Sequence, residues 1–260
     1  MSDVICTSGP CDQPFEEQHS RTSIAIVVAG TFQYRSSAGS ELMTPGSLLL
    51  GNAGQHFECG HEHGTGDRCV SFSYAAEFFE RLAADAGWGG DGVHFKMLRL
   101  PPIRPLSALI ARASSGLAGS DAPWEEFSIE LAVQAVQLER GLPRDLTRAE
   151  PSAIARVTRV VRRIESHPDG CHDLRNLAQE AGLSPYHFLR RFEILTGTTP
   201  HQYLLRARLR RAAVRVSTEP TKILDIALDC GFGDVSNFNR NFRSEFGVSP
   251  RVYRTKTRPR

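Results

Sequence analysis

Two groups of side chains in this sequence have the types and spacing to do chemistry. The first is split between two stretches: Tyr186, Leu189, Arg190 and Glu193, then Val235, Ser236, Asn239, Arg240 and Arg243. Intervals of one, three and four residues put each set along one face of a helix. Arginine carries a fork of donors that fits O6 and N7 of guanine, and asparagine can fit N6 and N7 of adenine in the same way. The second group is compact: His56, Cys59, His61, His63 and Cys69 lie within one short segment, HFECGHEHGTGDRC. Imidazole and thiolate suit zinc or another transition metal. In a strand, His61 and His63 would share a face. His56, His61 and His63 are the metal candidates, and His94 would join them only if folding brings it close. A redox-sensing thiol at Cys59 or Cys69 is a further reading. The plain alternative is a polar turn, with Asp67 and Arg68 paired locally and the cysteines packed; no cofactor is expected.

The first group needs a scaffold that presents two helices alike, and the sequence contains one written twice. Leu177–Tyr203 reads LAQEAGLSPYHFLRRFEILTGTTPHQY, and Ile226–Tyr253 reads IALDCGFGDVSNFNRNFRSEFGVSPRVY. Ala178 and Gly182 match Ala227 and Gly231 at an offset of 49; Phe188, Arg190, Phe192, Gly197, Pro200 and Tyr203 match Phe238, Arg240, Phe242, Gly247, Pro250 and Tyr253 at an offset of 50. The added residue falls in the turn after the first glycine. Each copy predicts a helix, a tight turn and a second helix. Gly182 and Gly231 stand where a helix ends, since glycine reaches the left-handed region without strain. Ser184 and Asp234 can cap the next helix, and Pro185 suits its first turn. Phe188, Phe192 and Leu195, and Phe238, Phe242 and Phe246, give each second helix one apolar stripe. Such units lay the second helix in the DNA major groove.

With Gly231-Phe232-Gly233-Asp234, Phe238, Arg240, Phe242, Phe246-Gly247-Val248-Ser249-Pro250 and Tyr253-Arg254, the region from about 152 to 255 resembles the DNA-binding domain of the AraC/XylS family of bacterial transcription regulators. The resemblance implies two helix-turn-helix units joined by one long helix, reading successive major grooves on one face of the duplex. It implies base reading by Tyr186, Leu189, Arg190, Val235, Ser236, Asn239 and Arg240. His187, Arg191, Asn237 and Arg243 are assigned to phosphates. Leu189 and Val235 are apolar where the family often has polar residues, and an apolar side chain can touch a thymine methyl.

The net charge of +2 conceals an asymmetry: residues 1–150 carry 11 Lys and Arg against 19 Asp and Glu, and residues 151–260 carry 20 against 10. An acidic half joined to a basic, arginine-rich half suggests a nucleic-acid module attached to something else. No apolar run approaches the ~18 residues of a membrane span. The N-terminus lacks the apolar core of a signal peptide. A cytoplasmic location is therefore expected, where a chain with six scattered cysteines does not need disulfides.

In chain order, residues 1–20 read as a mobile lead-in. Short runs at Ser23–Val28, Gly30–Arg35, Leu48–Leu50 and Cys69–Tyr74 predict strands of a small antiparallel barrel or sandwich. Pro45-Gly46-Ser47-Leu48-Leu49-Leu50 is similar to a strand entry of the cupin-like barrels found in AraC/XylS proteins. A helix from Ala75 ending at Gly87, a strand-like piece Val93–Leu100 and two helices, Pro105–Leu117 and Trp124–Arg140, follow. These two helices either pack on the barrel or pair with a second copy of the chain. Gly141–Pro151 reads as the linker. The basic half opens with a helix, Ser152–His167. The long helix Pro200–Ser217, about 25 Å at ~1.5 Å per residue, carries Arg206, Arg208, Arg210, Arg211 and Arg215. Some of these should meet phosphates and others acids. Successive major grooves are ~34 Å apart, so a stiff rod would require the DNA to bend.

The expected fold class is α+β: a cupin-like β-barrel with flanking helices at 21–145, for sensing or dimerisation, and an all-α domain with two helix-turn-helix motifs at 152–256. The expected function is sequence-specific, non-enzymatic regulation of transcription. Double-stranded DNA is the principal partner; RNA polymerase, a second copy of the chain and a small-molecule effector are candidates, and a membrane is not. The alternatives are a cupin-type metalloenzyme with a DNA-binding appendage, and an architectural DNA-bending protein. No nucleophile–base pair, phosphate-cradling loop or paired carboxylates were found to support catalysis.

Overall fold

The computed structural model describes residues 1–14, 16–88, 92–117, 123–142 and 150–257. The N-terminal half contains β1 (Ser2–Cys6), β2 (Glu16–Gln18), β3 (Thr22–Gly30), β4 (Phe32–Ser36), β5 (Gly39–Met43), β6 (Leu48–Gly51), β7 (His56–Gly60), β8 (Asp67–Tyr74) and β9 (Arg99–Leu100). Helices α1 (Ala76–Asp85), α2 (Ser107–Gly116) and α3 (Trp124–Gly141) complete it. Among the described residues, the strands form two antiparallel sheets, ordered β1-β8-β3-β6-β9 and β2-β7-β4-β5.

Alternation along β3 explains the layering, because successive side chains point to opposite faces. Ile24 and Ile26 enter a core with Leu109, Ile110, Phe127, Leu131 and Val136 of α2 and α3. Ala25 and Val27 enter a second core with Phe32, Tyr34 and Met43 of the other sheet. The five-stranded sheet is thus covered on both faces, which accounts for the continuous apolar run in β3. The expected barrel does not close. One edge of each sheet, β9 with two residues and β2 with three, is too short to carry a ladder onward, and the opposite edges are β1 and β5.

Two further expectations need correction. The supposed lead-in holds β1, paired with β8 from Ser2↔Ser71 to Cys6↔Asp67, and β2, paired with β7. Only Arg99 and Leu100 of the Val93–Leu100 piece form a strand. Phe95 instead exchanges hydrogen bonds with the Asn52 side chain at 2.8 and 2.9 Å. The amides of Lys96 and Met97 donate to buried Glu139 at 2.6 and 3.1 Å. Side chains from distant segments satisfy this backbone in place of a ladder.

The expected linker lies mostly outside the described residues. Beyond it run α4 (Pro151–Ser166), α5 (Leu174–Glu180), α6 (Pro185–Thr196), α7 (Pro200–Thr218), α8 (Ile223–Asp229), α9 (Val235–Phe246) and α10 (Pro250–Thr257). Two cores divide this half. Tyr203, Leu204 and Ala207 of α7 join α4–α6, and Leu209, Ala212, Ala213 and Val216 of the same helix join α8–α10. One helix therefore spans both repeats. Leu42 enters the first of these cores and Ala111 the second, so each is closed partly by the N-terminal half. The apolar faces of α2 and α3 are also used within the chain, with α2 packed on α7 and α9.

Candidate nucleic-acid interface

The duplication extends to ring geometry. Phe188 and Phe192 have centroids 5.5 Å apart at 60°, and Phe238 and Phe242 5.4 Å apart at 58°. Phe192 meets Tyr203 edge-on at 5.7 Å and 82°; Phe242 meets Tyr253 at 5.4 Å and 83°. The five of these rings other than Tyr253 are fully buried, and Tyr253 is nearly so. Each such pair contributes roughly 0.5–1.5 kcal/mol beyond area burial, so the same aromatic wedge fixes α6 and α9.

The helix ends match too. Ser184 accepts from the His187 amide and Asp234 from the Asn237 amide, capping α6 and α9. Gly197 and Gly247 end them in the left-handed region at φ 72° and 75°. Thr199 then caps α7, with Gln202 completing a capping box. Ser249 Oγ accepts from the Val252 amide at 3.4 Å in α10. These ends satisfy amides that a helix otherwise leaves unpaired.

With the phenylalanine stripes turned inward, the candidate residues face outward. On α6, Tyr186 is 68% exposed, His187 and Arg190 are exposed, and Leu189 and Arg191 are half-buried. On α9, Ser236, Asn239, Arg240 and Arg243 are exposed, while Val235 and Asn237 are half-buried. His187 Nδ1 lies 2.9 Å from Ser184 Oγ. Asn237 Oδ1 accepts from Arg240 at 3.1 Å and from Asn241 at 2.8 Å. A groove beside α9 is lined by Val235, Asn239, Arg240, Arg243 and Arg251. Arg251, at the start of α10, belongs to no helix-face pattern and was missed from the sequence; its place in the second half of the repeat was the available signal.

Charge pairing separates two classes of arginine. Among the described residues, Arg190, Arg191, Arg243 and Arg251 make no ion pair, and Arg240 bonds only the neutral Asn237. The five arginines of α7 are all engaged. Arg206 pairs with Glu245 at 3.3 Å, Arg210 with Glu165 at 2.5 Å, Arg211 with Asp169 at 3.1 Å, and Arg215 with Glu219 and Asp229, each at 3.0 Å. Arg208 donates to the carbonyls of Pro168 and Gly170. The expectation that some α7 arginines meet phosphates is not matched by this arrangement. They brace the rod because carboxylates and helix-end carbonyls from α4, α8, α9 and the 167–170 turn lie within reach.

Contacts also tie the N-terminal half to the repeats. Arg99 pairs with Glu41 at 2.9 Å and donates to Thr196 O at 3.0 Å. Ser107 of α2 donates to Glu245 near the end of α9. Ser115 and Ser217 hydroxyls lie 2.9 Å apart. Arg162 of α4 donates to Thr31 Oγ1 at 3.3 Å and Thr65 O at 3.2 Å. None of these long-range pairs follows a local pattern.

The histidine candidates do not assemble as expected. His56 is exposed and lies 3.1 Å from Glu16, His63 lies 4.0 Å from Glu62, and His94 is exposed. Asp67 and Arg68 point apart, as adjacent strand residues do: Asp67 takes His61 at 2.5 Å, and Arg68 takes Asp3 at 2.7 Å. Burial, reinforced by the Asp67 carboxylate, pushes the thiols of Cys59 and Cys69 far up from their ordinary range. That disfavours the thiolate a redox sensor needs.

A helix-turn-helix domain model matches residues 177–256. An HTH-type transcriptional regulator of Mycobacterium tuberculosis is 36% identical over 85 residues, 33% of this chain and 33% of its own. The transcriptional activator NphR of a Rhodococcus species is 34% identical over 237 residues, 89% of this chain and 69% of its own. The DNA-binding domain of AdpA, solved in complex with a target DNA, is 32% identical, with a TM-score of 0.38, covering 38% of this chain and 90% of that one. The chain spans about a third of the length of several curated relatives it matches. On the helix-turn-helix match and the long alignment with the Rhodococcus activator, this chain belongs to the AraC/XylS family of transcription regulators.

Proposed function

We propose that this chain is a sequence-specific, non-enzymatic DNA-binding regulator of transcription, acting in the cytoplasm. The observation that carries this reading is the contrast between arginines. Four of the five arginines on the connecting helix pair with carboxylates and the fifth, Arg208, donates to backbone carbonyls, while, among the described residues, those on the two repeated faces stand without acidic partners. A repeated cationic face suits a repeated anionic partner, and duplex DNA offers one per helical turn.

In this reading α6 and α9 enter successive major grooves. Tyr186, Leu189 and Arg190, and Val235, Ser236, Asn239 and Arg240, meet base edges; His187, Arg191, Asn237 and Arg243 meet phosphates, with Arg251 beside them. Residues 152–256 form the DNA-binding domain and 21–145 a cupin-like sensing or dimerisation domain. The layered sheets support the latter. A second copy, RNA polymerase and a small effector remain candidate partners of the whole protein.

Arg190→Ala and Arg240→Ala test the reading. Each should weaken the cognate site by ~1–3 kcal/mol and relax preference at one base position. Equal loss on every sequence would reassign them to phosphate.

A further inference from the structure

We propose that Cys6, His61 and Asp67 bind a divalent transition-metal ion of the zinc class, with Cys69 as fourth ligand. One ligand atom from each of Cys6, His61 and Asp67 lies within 4.8 Å of the others. Strand pairing brings them together from distant parts of the chain. Cys6 ends β1 opposite Asp67, which opens β8, and His61 follows directly on β7. Val4 faces Cys69 in the same ladder, two residues further along β8.

Asp67 is the hub. Its Oδ1 lies 2.5 Å from His61 Nε2, and its Oδ2 accepts from Cys69 Sγ at 3.4 Å. The His61 and Asp67 side chains are 3% and 7% exposed. A carboxylate this deeply buried is expensive unless well paired, and a thiol is a weak donor. A divalent ion would offset two of the three negative charges carried by the carboxylate and two thiolates. Zinc takes S, N and O ligands at ~2.0–2.3 Å, so tetrahedral ligand atoms stand roughly 3.3–3.8 Å apart. Cys6, His61 and Asp67 already lie within 4.8 Å of one another, and Cys69 Sγ is 3.4 Å from Asp67 Oδ2. Thiolate and imidazole select this class over magnesium or calcium, which prefer oxygen. Phe32 stacks on the His61 ring with centroids 5.9 Å apart and fixes its plane.

The position also bears on regulation. His61 and Asp67 bracket the turn whose Thr65 carbonyl accepts from Arg162 of α4, and α4 packs on α5 and α6. An ion would fix both ends of that turn. Any effect on DNA rests on the function proposed above; binding of the ion does not.

Titration of the purified full-length protein, first stripped with a chelator, with Co2+ under reducing conditions tests the site. One Co2+ per chain should bind, with thiolate-to-cobalt charge-transfer absorption and the strong visible bands of tetrahedral cobalt, and Zn2+ should abolish both. Cys6→Ser and His61→Gln should weaken binding by about tenfold or more, and His56→Gln should leave it unchanged. Absence of cobalt–thiolate bands in the unaltered protein would overturn the proposal without recourse to variants. So would bands that persist unchanged in a Cys6→Ser, Cys69→Ser protein with an intact circular-dichroism spectrum.

Discussion

Arg210→Met should destabilise the protein more than any exposed arginine substitution, and the structure indicates by how much. Arg210 lies on the connecting helix, with its guanidinium 2.5 Å from Glu165 and 5.9 Å above the Tyr203 ring. Tyr203 Oη donates to the same Glu165 oxygen at 2.8 Å and lies 3.5 Å from Pro45 O. A Cβ on Gly46 would come 2.8 Å from the Arg210 guanidinium, so the cluster is wedged against the N-terminal half. Removing one member of a buried pair costs roughly 3–5 kcal/mol, because a charge is left uncompensated. The Glu165 side chain is 26% exposed and keeps its tyrosine donor, which lowers the expectation to about 2–4 kcal/mol. In a chain of this size that corresponds to a fall in Tm of about 5–15 °C. Arg210→Met with Glu165→Leu removes both charges and should recover at least half of the loss. Urea and thermal unfolding of the two singles and the double, read as a cycle, measure the coupling. A single variant costing under about 1 kcal/mol, or a double costing the sum of the singles, would refute the view that these groups act as one buried unit.

Gly231→Ala and Gly182→Ala should differ although the positions match in the repeat. Both have positive φ, 84° and 63°, but a Cβ at 231 would lie 2.7 Å from the Asp169 Cα, whereas at 182 it meets only the movable end of Arg156 at 3.1 Å. Losses of about 2–4 and about 1–2 kcal/mol are expected by chemical unfolding. Similar values would mean the backbone contact is absent. His19 supplies a pH dependence. Its ring stacks on Phe57 at 4.2 Å, and burial lowers its pKa from 6.5 to about 4. The unfolded chain therefore binds the proton first. Stability is fully present above about 6.5 and is lost as pH falls toward 4, by about 1–3 kcal/mol after allowing for partial exposure. The drop in Tm between pH 7 and 4.5 should be smaller in His19→Gln, and an equal drop would place the titrating group elsewhere. Removing α7 charges should act on folding and not on salt-linked DNA affinity. Arg215→Ala should leave the salt slope of binding unchanged, whereas Arg243→Ala should reduce it by about 1.

The second half of this chain was legible because its instructions are local and repeated. Glycine, cap and phenylalanine spacings mark α5, α6, α8 and α9 with little need for tertiary context, and the outward face follows once the apolar stripe is placed. The strands at Thr22–Gly30 and Asp67–Tyr74 were legible for the same reason. Ser2–Cys6 was not. SDVIC alternates too briefly to stand alone, and it is a strand only because β8 offers it an edge. The Val93–Leu100 piece had strand composition but lost its ladder to Asn52 and Glu139, each 43 residues away for at least one of its bonds. The metal candidates follow the same logic. Proximity in sequence suggested His56, His61 and His63, whereas strand register joins His61 to Cys6 and Asp67. The α7 arginines were divided between phosphates and acids without naming any acid, because partners such as Glu165 lie up to 45 residues off.

The most direct measurement is selection from random duplex DNA by the full-length protein, followed by footprinting of the enriched sequences. Two protected major-groove segments on one face, about one helical turn apart, each altered by substitution in its own helix (Arg190→Ala for one, Arg240→Ala for the other), are the predicted result. Retention of DNA with no enriched sequence, or a single protected segment indifferent to both substitutions, would contradict the two-helix reading.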